Sequence, residues 1–281
     1  MSSDLSSSVL TIERDGAIAT LWLDRPDARN AMGPDFWRDL PLAMHELGED
    51  DEVRAIVIAA KGPHFSVGLD LKAMGATLMG DGGANDGRPT SPATKNAKLY
   101  RQIRSMQDSV TSVERCPKPV IAAIHGYCIG GGVDLIAACD VRLSSHDAIY
   151  SVRETKVAIV ADIGSLQRLP RIIGLGHVNE LALSGKDISA ERAAAIGLVN
   201  DAEGSPAQVL ERAHQLASEI AANSPLAVQG TKAVLAATQD KSIDEGLEYV
   251  AAYNALYINS NDLIEAMTSF AEKRPGNYTG S

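Results

Sequence analysis

Three acids in apolar surroundings are the residues of this chain best suited to moving a proton. Asp134 lies in the segment VDLIAAC, Glu154 in SVRETKVAIV and Asp162 in VAIVADIGSL. A carboxyl group in an apolar segment is either paired with a cation or held at a raised pKa, and the second state suits general acid–base chemistry. These three acids are therefore the candidate catalytic residues.

Each acid also has an explanation that involves no chemistry. Asp162 could cap a helix that begins near Ser165, because aspartate oxygens accept hydrogen bonds from first-turn N–H groups. Asp134 could be a first-turn acid, where the helix dipole favours negative charge. Glu154 could be an exposed ion-pair partner of one of its basic neighbours. The residues alone leave these alternatives open.

Two glycine-bearing turns form a second candidate feature. They are HFSVGLDLKAM at residues 64–74 and HGYCIGGGVDL at residues 125–135. The triplet Gly130–Gly132 lets backbone N–H groups converge on a ligand without an intervening side chain, and the helix that follows adds the positive end of its dipole. One N–H group from each turn could form an oxyanion hole. Close packing of a helix on a strand would require the same glycines, so spacing does not decide between the two.

Other catalytic and metal-binding motifs are missing from the sequence. It contains no GxSxG elbow, no Walker A loop, no HExxH and no EF-hand loop, and its six histidines form no cluster with ligand spacing. The three cysteines, Cys116, Cys128 and Cys139, each lie in an apolar context. We expect them to be reduced core residues and expect no metal site.

The composition argues against several classes of partner. The 281 residues carry a net charge of −10 and only 4% aromatic residues, which is unfavourable for binding nucleic acid. No stretch approaches the roughly 18 apolar residues of a membrane span, so we expect no membrane association. The polar N-terminus shows no signal-peptide or transit-peptide pattern, and with the reduced cysteines this predicts a cytoplasmic protein.

Apolar runs that suit buried strands alternate with helical patterns through the first 205 residues. This alternation predicts an α/β fold in which helices connect parallel strands. The predicted strands are 9–14, 17–23, 53–60, 119–125 and 139–144, and the predicted helices between them are 34–47, 97–115 and 132–138. Residues 75–94 are rich in glycine and proline, which predicts a mobile surface loop.

After residue 205 the strand pattern disappears and a helical tail follows. The predicted tail helices are 206–222, 225–238, 243–257 and 261–272. The chain therefore divides into a body at residues 1–205 and a tail at residues 206–281.

Several segments together resemble the crotonase, or enoyl-CoA hydratase/isomerase, superfamily. They are HFSVGLDLKAM, PKPVIAAIHGYCIGGGVDLIAACDVR and GSLQRLPRIIG, with support from RPDARNAM, SGKDISAERAAAIGLVN and FAEKRPGNYTG. The resemblance covers nearly the whole chain. It implies a spiral of ββα units that binds and transforms acyl-CoA, followed by a helical trimerisation region, in a homotrimer or a homohexamer.

The resemblance also implies roles for individual residues. The backbone N–H groups of Leu69 and Gly131 would stabilise an enolate oxygen of an acyl-CoA thioester. Coenzyme A would be part of the substrate, and no other cofactor and no metal would be required. The implied substrate-binding residues are Arg29, Ala31, Ser66, Gly68, Asp70, Leu71, Lys72, Gly130 and Lys273.

The acids point to one branch of this family. GGGVD followed by Glu154 and then Asp162 resembles the isomerases that convert 3,5-dienoyl-CoA to 2,4-dienoyl-CoA. By this match Glu154 acts beside the thioester, Asp162 acts four carbons further along, and Asp134 gives polar support. An enoyl-CoA hydratase, with water held by Asp134 and Glu154, is the second hypothesis. A non-catalytic acyl-CoA-binding protein is the third, and the three acids argue against it.

Overall fold

A six-stranded sheet forms the core of the structure, a computed structural model that describes residues 6–78 and 91–281. The strands are β1 (Leu10–Asp15), β2 (Ile18–Leu23), β3 (Ala55–Ala60), β4 (Val120–Ile124), β5 (Tyr127–Ile129), β6 (Val141–Ser144), β7 (Ile149–Ser151), β8 (Ile188–Ser189) and β9 (Asp201–Ala202). The sheet has the order β1-β2-β3-β4-β6-β9; β1 and β2 pair antiparallel, and the other neighbours pair in parallel. A smaller sheet has the order β5-β7-β8.

The two central strands are apolar and buried along their whole length. Ile56 of β3 lies opposite Val120 of β4, and Ile58 lies opposite Ala122. Continuous apolar strands of this kind are typical of a parallel sheet that helices cover on both faces. The predicted α/β architecture with parallel strands is confirmed.

Helices connect the strands and then continue to the C-terminus. They are α1 (Pro34–Glu49), α2 (Leu71–Leu78), α3 (Pro92–Arg115), α4 (Gly131–Ala137), α5 (Ser165–Ile173), α6 (Leu175–Ser184), α7 (Ala190–Ala195), α8 (Pro206–Ala221), α9 (Pro225–Thr238), α10 (Ile243–Tyr257) and α11 (Asn261–Glu272), with short 3-10 turns at Pro26–Ala28 and Glu154–Val157. Among the described residues none of these helices has both the length and the apolar character needed to cross a membrane.

Serine caps define where the tail helices begin. Ser205 and Ser242 start α8 and α10 with capping boxes, in which Gln208 and Glu245 bond back to the cap residue. Ser224 and Ser260 cap α9 and α11 in the same position. The four predicted tail helices are confirmed to within one residue at each end because these caps are visible in the sequence.

Helix α8 covers one face of the sheet. Its Val209, Ala213 and Ala217 are buried against a cluster that includes Val57 and Ile121. The division of the chain at residue 205 remains a prediction, and α8, which it assigns to the tail, packs on the body.

The predicted loop at residues 75–94 is wrong at both of its ends. Residues 75–78 belong to α2, and α3 begins at Pro92, because Ser91 caps its first turn by accepting a hydrogen bond from the Thr94 N–H. The remainder of the predicted loop lies outside the described residues. The three cysteines are free and buried, as the sequence predicts.

Candidate active site

The two glycine turns lie against each other at the ends of their strands. The Ser66 N–H donates to the Tyr127 carbonyl at 2.9 Å, and the Ile129 N–H donates to the Ser66 carbonyl at 3.0 Å. The Met32 N–H donates to the Gly68 carbonyl at 2.8 Å, which ties the first turn to the start of α1. These bonds fix the two turns relative to each other.

Glycine is required where the two turns approach each other. Gly68 has a φ of +82°, and a Cβ at this position would lie 2.6 Å from the Ile129 carbonyl oxygen. A Cβ on Gly131 would lie 2.9 Å from Met32 Sδ. Both separations are shorter than van der Waals contact. A Cβ on Gly68 would meet the backbone of the other turn and push the turns apart, whereas a Cβ on Gly131 would displace the Met32 side chain. Close packing therefore explains these glycines, and the same packing brings two backbone amides together.

Those amides belong to Leu69 and Gly131, the pair that the sequence analysis assigns to an oxyanion hole. Within residues 6–78 and 91–281 neither N–H has a hydrogen-bond acceptor. Gly131 is the first residue of α4, where helix geometry leaves the N–H groups without intrahelical partners. Both residues line one cavity. The arrangement can stabilise negative charge on a substrate oxygen.

All three candidate acids line the same cavity of about 750 Å³. Each comes from a different element: Asp134 from α4, Glu154 from the 3-10 turn Glu154–Val157, and Asp162 from the segment before α5. Apolar side chains form much of the remaining wall, and they include Trp37, Leu99, Ile103, Met106, Val157, Ile159 and Ile163. The cavity therefore combines carboxyl groups, two amide donors and an apolar surface.

Asp134 is almost fully buried, with 1% of its surface exposed. The Ser165 N–H donates to its Oδ1 at 2.5 Å, so this carboxyl group gives a hydrogen-bond acceptor to a backbone N–H in the first turn of α5. Burial, followed by the charge of Glu154, raises the pKa of Asp134 to about 7. The sequence places Asp134 in the first turn of its own helix, which is correct, but its carboxyl group bonds to a different helix.

Glu154 is half-buried and is not paired with its basic neighbour Arg153, which instead bonds to Asp187. Its Oε2 is buried and has no hydrogen-bond partner in the described part of the chain. Its Oε1 lies 3.2 Å from the position of a Cβ on Gly130. Burial, and to a smaller extent the charge of Asp162, raises the pKa of Glu154. The hypothesis of an exposed ion pair is therefore wrong.

Asp162 does not cap α5, although the helix begins at the predicted residue, Ser165. The capping position is Gly164, and no side-chain hydrogen bond caps the helix there. Burial raises the pKa of the half-buried Asp162 carboxyl group. The capping explanation is therefore wrong, and the proton-transfer role of Asp162 stays a prediction.

The predicted substrate-binding residues fall into two groups. Four line the cavity with the acids: Arg29, Gly68, Leu71 and Gly130. The others do not line it: Ala31, Ser66, Asp70, Lys72 and Lys273.

Two residues of the second group have structural contacts. Ser66 is fully buried; its hydroxyl donates to the Asn30 carbonyl and accepts from the Gly68 N–H. Asp70 forms an ion pair with Arg25 at 2.7 Å. Both support the turn that presents Leu69. Lys273 lies at the end of α11.

The apolar wall from α3 could not be recognised from the sequence. Ile103 and Met106 lie in the predicted helix 97–115 at helical spacing. A buried face and a cavity wall have the same periodicity, so no signal in one sequence separates them. Among the described residues no group of three or more histidine, cysteine or acidic side chains is placed to hold a metal ion.

Known proteins resemble this chain over most of its length. Residues 13–281 match the sequence model of a family described as Enoyl-CoA hydratase/isomerase. A relative from Arabidopsis thaliana, "Delta(3,5)-Delta(2,4)-dienoyl-CoA isomerase, peroxisomal", is 40% identical over 98% of this chain and 97% of its own length. A relative from Dictyostelium discoideum, "Delta(3,5)-Delta(2,4)-dienoyl-CoA isomerase, mitochondrial", is 43% identical over 92% of this chain and 86% of its own length.

A solved structure confirms the predicted fold. An enoyl-CoA hydratase from Bacillus anthracis superimposes with a TM-score of 0.87 at 28% identity, covering 98% of this chain and 100% of that one.

The expectation of a cytoplasmic protein is wrong. The two relatives above are named as peroxisomal and mitochondrial proteins. The expectation rested on the polar N-terminus and on reduced cysteines, and neither feature distinguishes one reducing compartment from another.

Proposed function

We propose that this chain, which belongs to the enoyl-CoA hydratase/isomerase family, is an isomerase that converts 3,5-dienoyl-CoA to 2,4-dienoyl-CoA. The observation that carries the proposal is the position of Asp162, a second proton-transfer group on the same cavity as Glu154. Hydration requires acids around one water, whereas a shift of two double bonds requires acids at both ends of a conjugated system. The relatives at 40% and 43% identity are named for this isomerisation.

The reaction begins at the thioester. Its carbonyl oxygen accepts hydrogen bonds from the N–H groups of Leu69 and Gly131, and Glu154 in its ionised form removes a proton from C2. The C2–H electrons delocalise onto that oxygen and along the diene as far as C6, which gives a conjugated dienolate. Fixed N–H donors stabilise the new charge because they are oriented before it forms.

Asp162 completes the reaction at the other end of the dienolate. In its neutral form it donates a proton to C6, so that one C–H bond has broken, one has formed and no water has been consumed. Burial raises the pKa of Asp162, which favours the neutral form that can donate. The proton on Glu154 then returns to Asp162 before the next turnover.

Asp134 supports Glu154 without touching C2 or C6. Its pKa of about 7 keeps a large part of it neutral near neutral pH. A neutral neighbour does not repel the ionised Glu154. Repulsion between the two carboxylates is one cause of the raised pKa of Asp134. Asp134 also fixes the start of α5 through Ser165.

The experiment that tests the function is product identification after incubation with 3,5-dienoyl-CoA. We expect a product of unchanged mass whose two double bonds are conjugated with the thioester. Recovery of unreacted substrate would contradict the proposal. Hydration of 2-enoyl-CoA, the second candidate, is favoured by the unpartnered Glu154 Oε2, which could hold a water; it would be recognised by a gain of one water in mass.

Coenzyme A enters the site as part of the substrate, and the proposed chemistry needs no further cofactor. A chain with a net charge of −10 requires a local basic region for the CoA phosphates. Arg29 lines the cavity and is exposed, which suits this role. Lys72 and Lys273 remain candidates for the same region.

We further propose that the protein is a homotrimer or a homohexamer assembled through the tail helices. Ile243, Leu256 and Phe270 of this region are 82%, 77% and 86% exposed in the single chain. Large apolar side chains at this density favour burial in an interface. Sedimentation at micromolar concentration should give a multiple of 29.7 kDa, and a monomer alone would remove the claim.

A further inference from the structure

We propose that Gln107, on α3, is a positioning residue for Asp162 and ties the placement of the remote acid to the wall that contacts the acyl chain. The inference rests on the proposed function, because it takes Asp162 as the donor to C6. It concerns a residue outside the acids and the amide pair described above.

Gln107 bonds directly to the backbone of Asp162. Its Nε2 donates to the Asp162 carbonyl oxygen at 2.6 Å. The amide orientation is fixed from the other side, because Arg104 Nη1 donates to Gln107 Oε1 at 2.8 Å. A guanidinium can only donate, so Oε1 must face Arg104 and Nε2 must face Asp162.

The backbone around Asp162 has few other restraints. Residues 160–163 belong to no helix or strand, and they make no backbone–backbone hydrogen bond to any residue within 6–78 or 91–281. The segment is otherwise held by burial of Ala161 and Ile163. Apolar burial has no direction, whereas the Gln107 bond sets the orientation of the Asp162 peptide.

Helix α3, whose Gln107 bonds to the Asp162 backbone, also lines the cavity. Ile103 and Met106 lie on the wall, and Gln107 follows Met106 directly. The same helix is joined to α5, since Arg168 donates to Thr111 Oγ1 at 3.0 Å and to Glu114 Oε2 at 2.7 Å. An acyl chain packed on α3 and the acid that protonates it therefore share one rigid support.

Glu154 does not depend on this support. It begins the 3-10 turn Glu154–Val157 and lies beside Gly130, whose N–H donates to the Ser151 carbonyl at 2.9 Å. Loss of the Gln107 bond should therefore impair proton delivery at C6 and spare proton removal at C2. General structural damage would impair both.

The test compares Gln107→Met with Gln102→Met, a matched substitution earlier in α3. Both proteins and the unmodified enzyme are incubated with 3,5-dienoyl-CoA in D₂O. Deuterium at C2 of recovered substrate reports the Glu154 step, and deuterium at C6 of the product reports the Asp162 step. Steady-state kinetics give kcat and KM for the same samples.

For Gln107→Met we expect kcat and the rate of deuterium incorporation at C6 to fall about 10- to 100-fold, which is the cost of a misplaced reacting group. C2 labelling and KM should stay within about twofold of the unmodified enzyme. Gln102→Met should match the unmodified enzyme. Equal loss at C2 and C6, or no loss at either, would overturn the role of Gln107.

Two further results distinguish a wrong role for Gln107 from a variant that does not fold and from a wrong proposed function. If Gln107→Met does not fold, Arg104→Met removes only the group that orients the amide, and it should reduce C6 labelling selectively by a smaller factor. Unchanged C6 labelling in Arg104→Met would then overturn the inference. An unmodified enzyme that fails to isomerise the substrate would instead contradict the proposed function.

Discussion

Replacement of Asp162 by asparagine separates the isomerase from a hydratase, which would hold its water with Asp134 and Glu154 and would not need Asp162. The side chains are nearly the same size, but an amide cannot donate a proton to carbon. Besides Glu154, the described cavity wall carries two other carboxyl groups, and both are engaged. Asp134 accepts from the Ser165 N–H, and Asp187 is paired with Arg153, so we expect neither to replace Asp162 at C6. We expect kcat for isomerisation to fall about 10²–10⁴-fold, the usual contribution of a positioned acid.

The pH profile of the residual activity provides a second readout. The reaction requires neutral Asp162 beside ionised Glu154, and asparagine is neutral like the protonated acid. The acidic limb of the kcat/KM profile, which Glu154 sets, should therefore keep its position, and the basic limb that ionisation of Asp162 causes should disappear. Increase of conjugated-diene absorbance at a series of pH values measures both effects.

Thermal unfolding is the control for this variant. Since burial raises the folded-state pKa of Asp162, the ionised carboxyl group destabilises the folded protein, and this cost appears as pH rises above the ordinary pKa of 3.8. Asp162→Asn should therefore have an unchanged or slightly higher Tm at neutral pH. Full isomerase activity in a folded Asp162→Asn protein would refute the assignment.

Three further variants test the rest of the site. Gly68→Ala would force a Cβ to within 2.6 Å of the Ile129 carbonyl, displace the Leu69 amide and lower kcat about 10²–10³-fold, measured by diene absorbance; normal kcat would contradict the oxyanion hole. Asp134→Asn should abolish a pH dependence of the free energy of unfolding. The pKa shift from 3.8 to about 7 predicts that the unmodified protein loses roughly 4 kcal/mol of stability relative to the variant as pH rises through that range. Chemical denaturation at a series of pH values measures this, and parallel curves for the two proteins would contradict the raised pKa of Asp134. Lys72→Glu should raise KM for acyl-CoA and weaken its dependence on salt, and unchanged values would exclude Lys72 from the CoA site.

The sequence predicts the elements of the fold well because their signals are local. Apolar runs mark β3 and β4, and serine caps mark α8 and α10, each within a few residues of chain. The short strand β5 is absent from the predicted elements because its three residues carry no periodicity of their own. It exists because it pairs in parallel with β7, and the Ser66 turn, more than sixty positions earlier, bridges to its other side.

The acids could be found from the sequence, but their partners could not. Apolar flanks identify Asp134, Glu154 and Asp162 as unusual, and motif resemblance ranks their roles. That Asp134 bonds to the amide of Ser165, rather than serving its own helix, depends on how α4 and α5 pack. The bond from Gln107 to Asp162 spans 55 residues and has no sequence signal at all.

The central claim is that this cavity moves a proton along a conjugated acyl chain, and one comparison tests it most directly. The purified protein is assayed with 3,5-dienoyl-CoA and with 2-enoyl-CoA under identical conditions, and kcat/KM is determined for formation of the conjugated diene and for loss of the enoyl group. We predict that kcat/KM for isomerisation exceeds that for hydration by at least about tenfold, which corresponds to about 1.4 kcal/mol in transition-state stabilisation. Efficient hydration with no isomerisation would contradict the account.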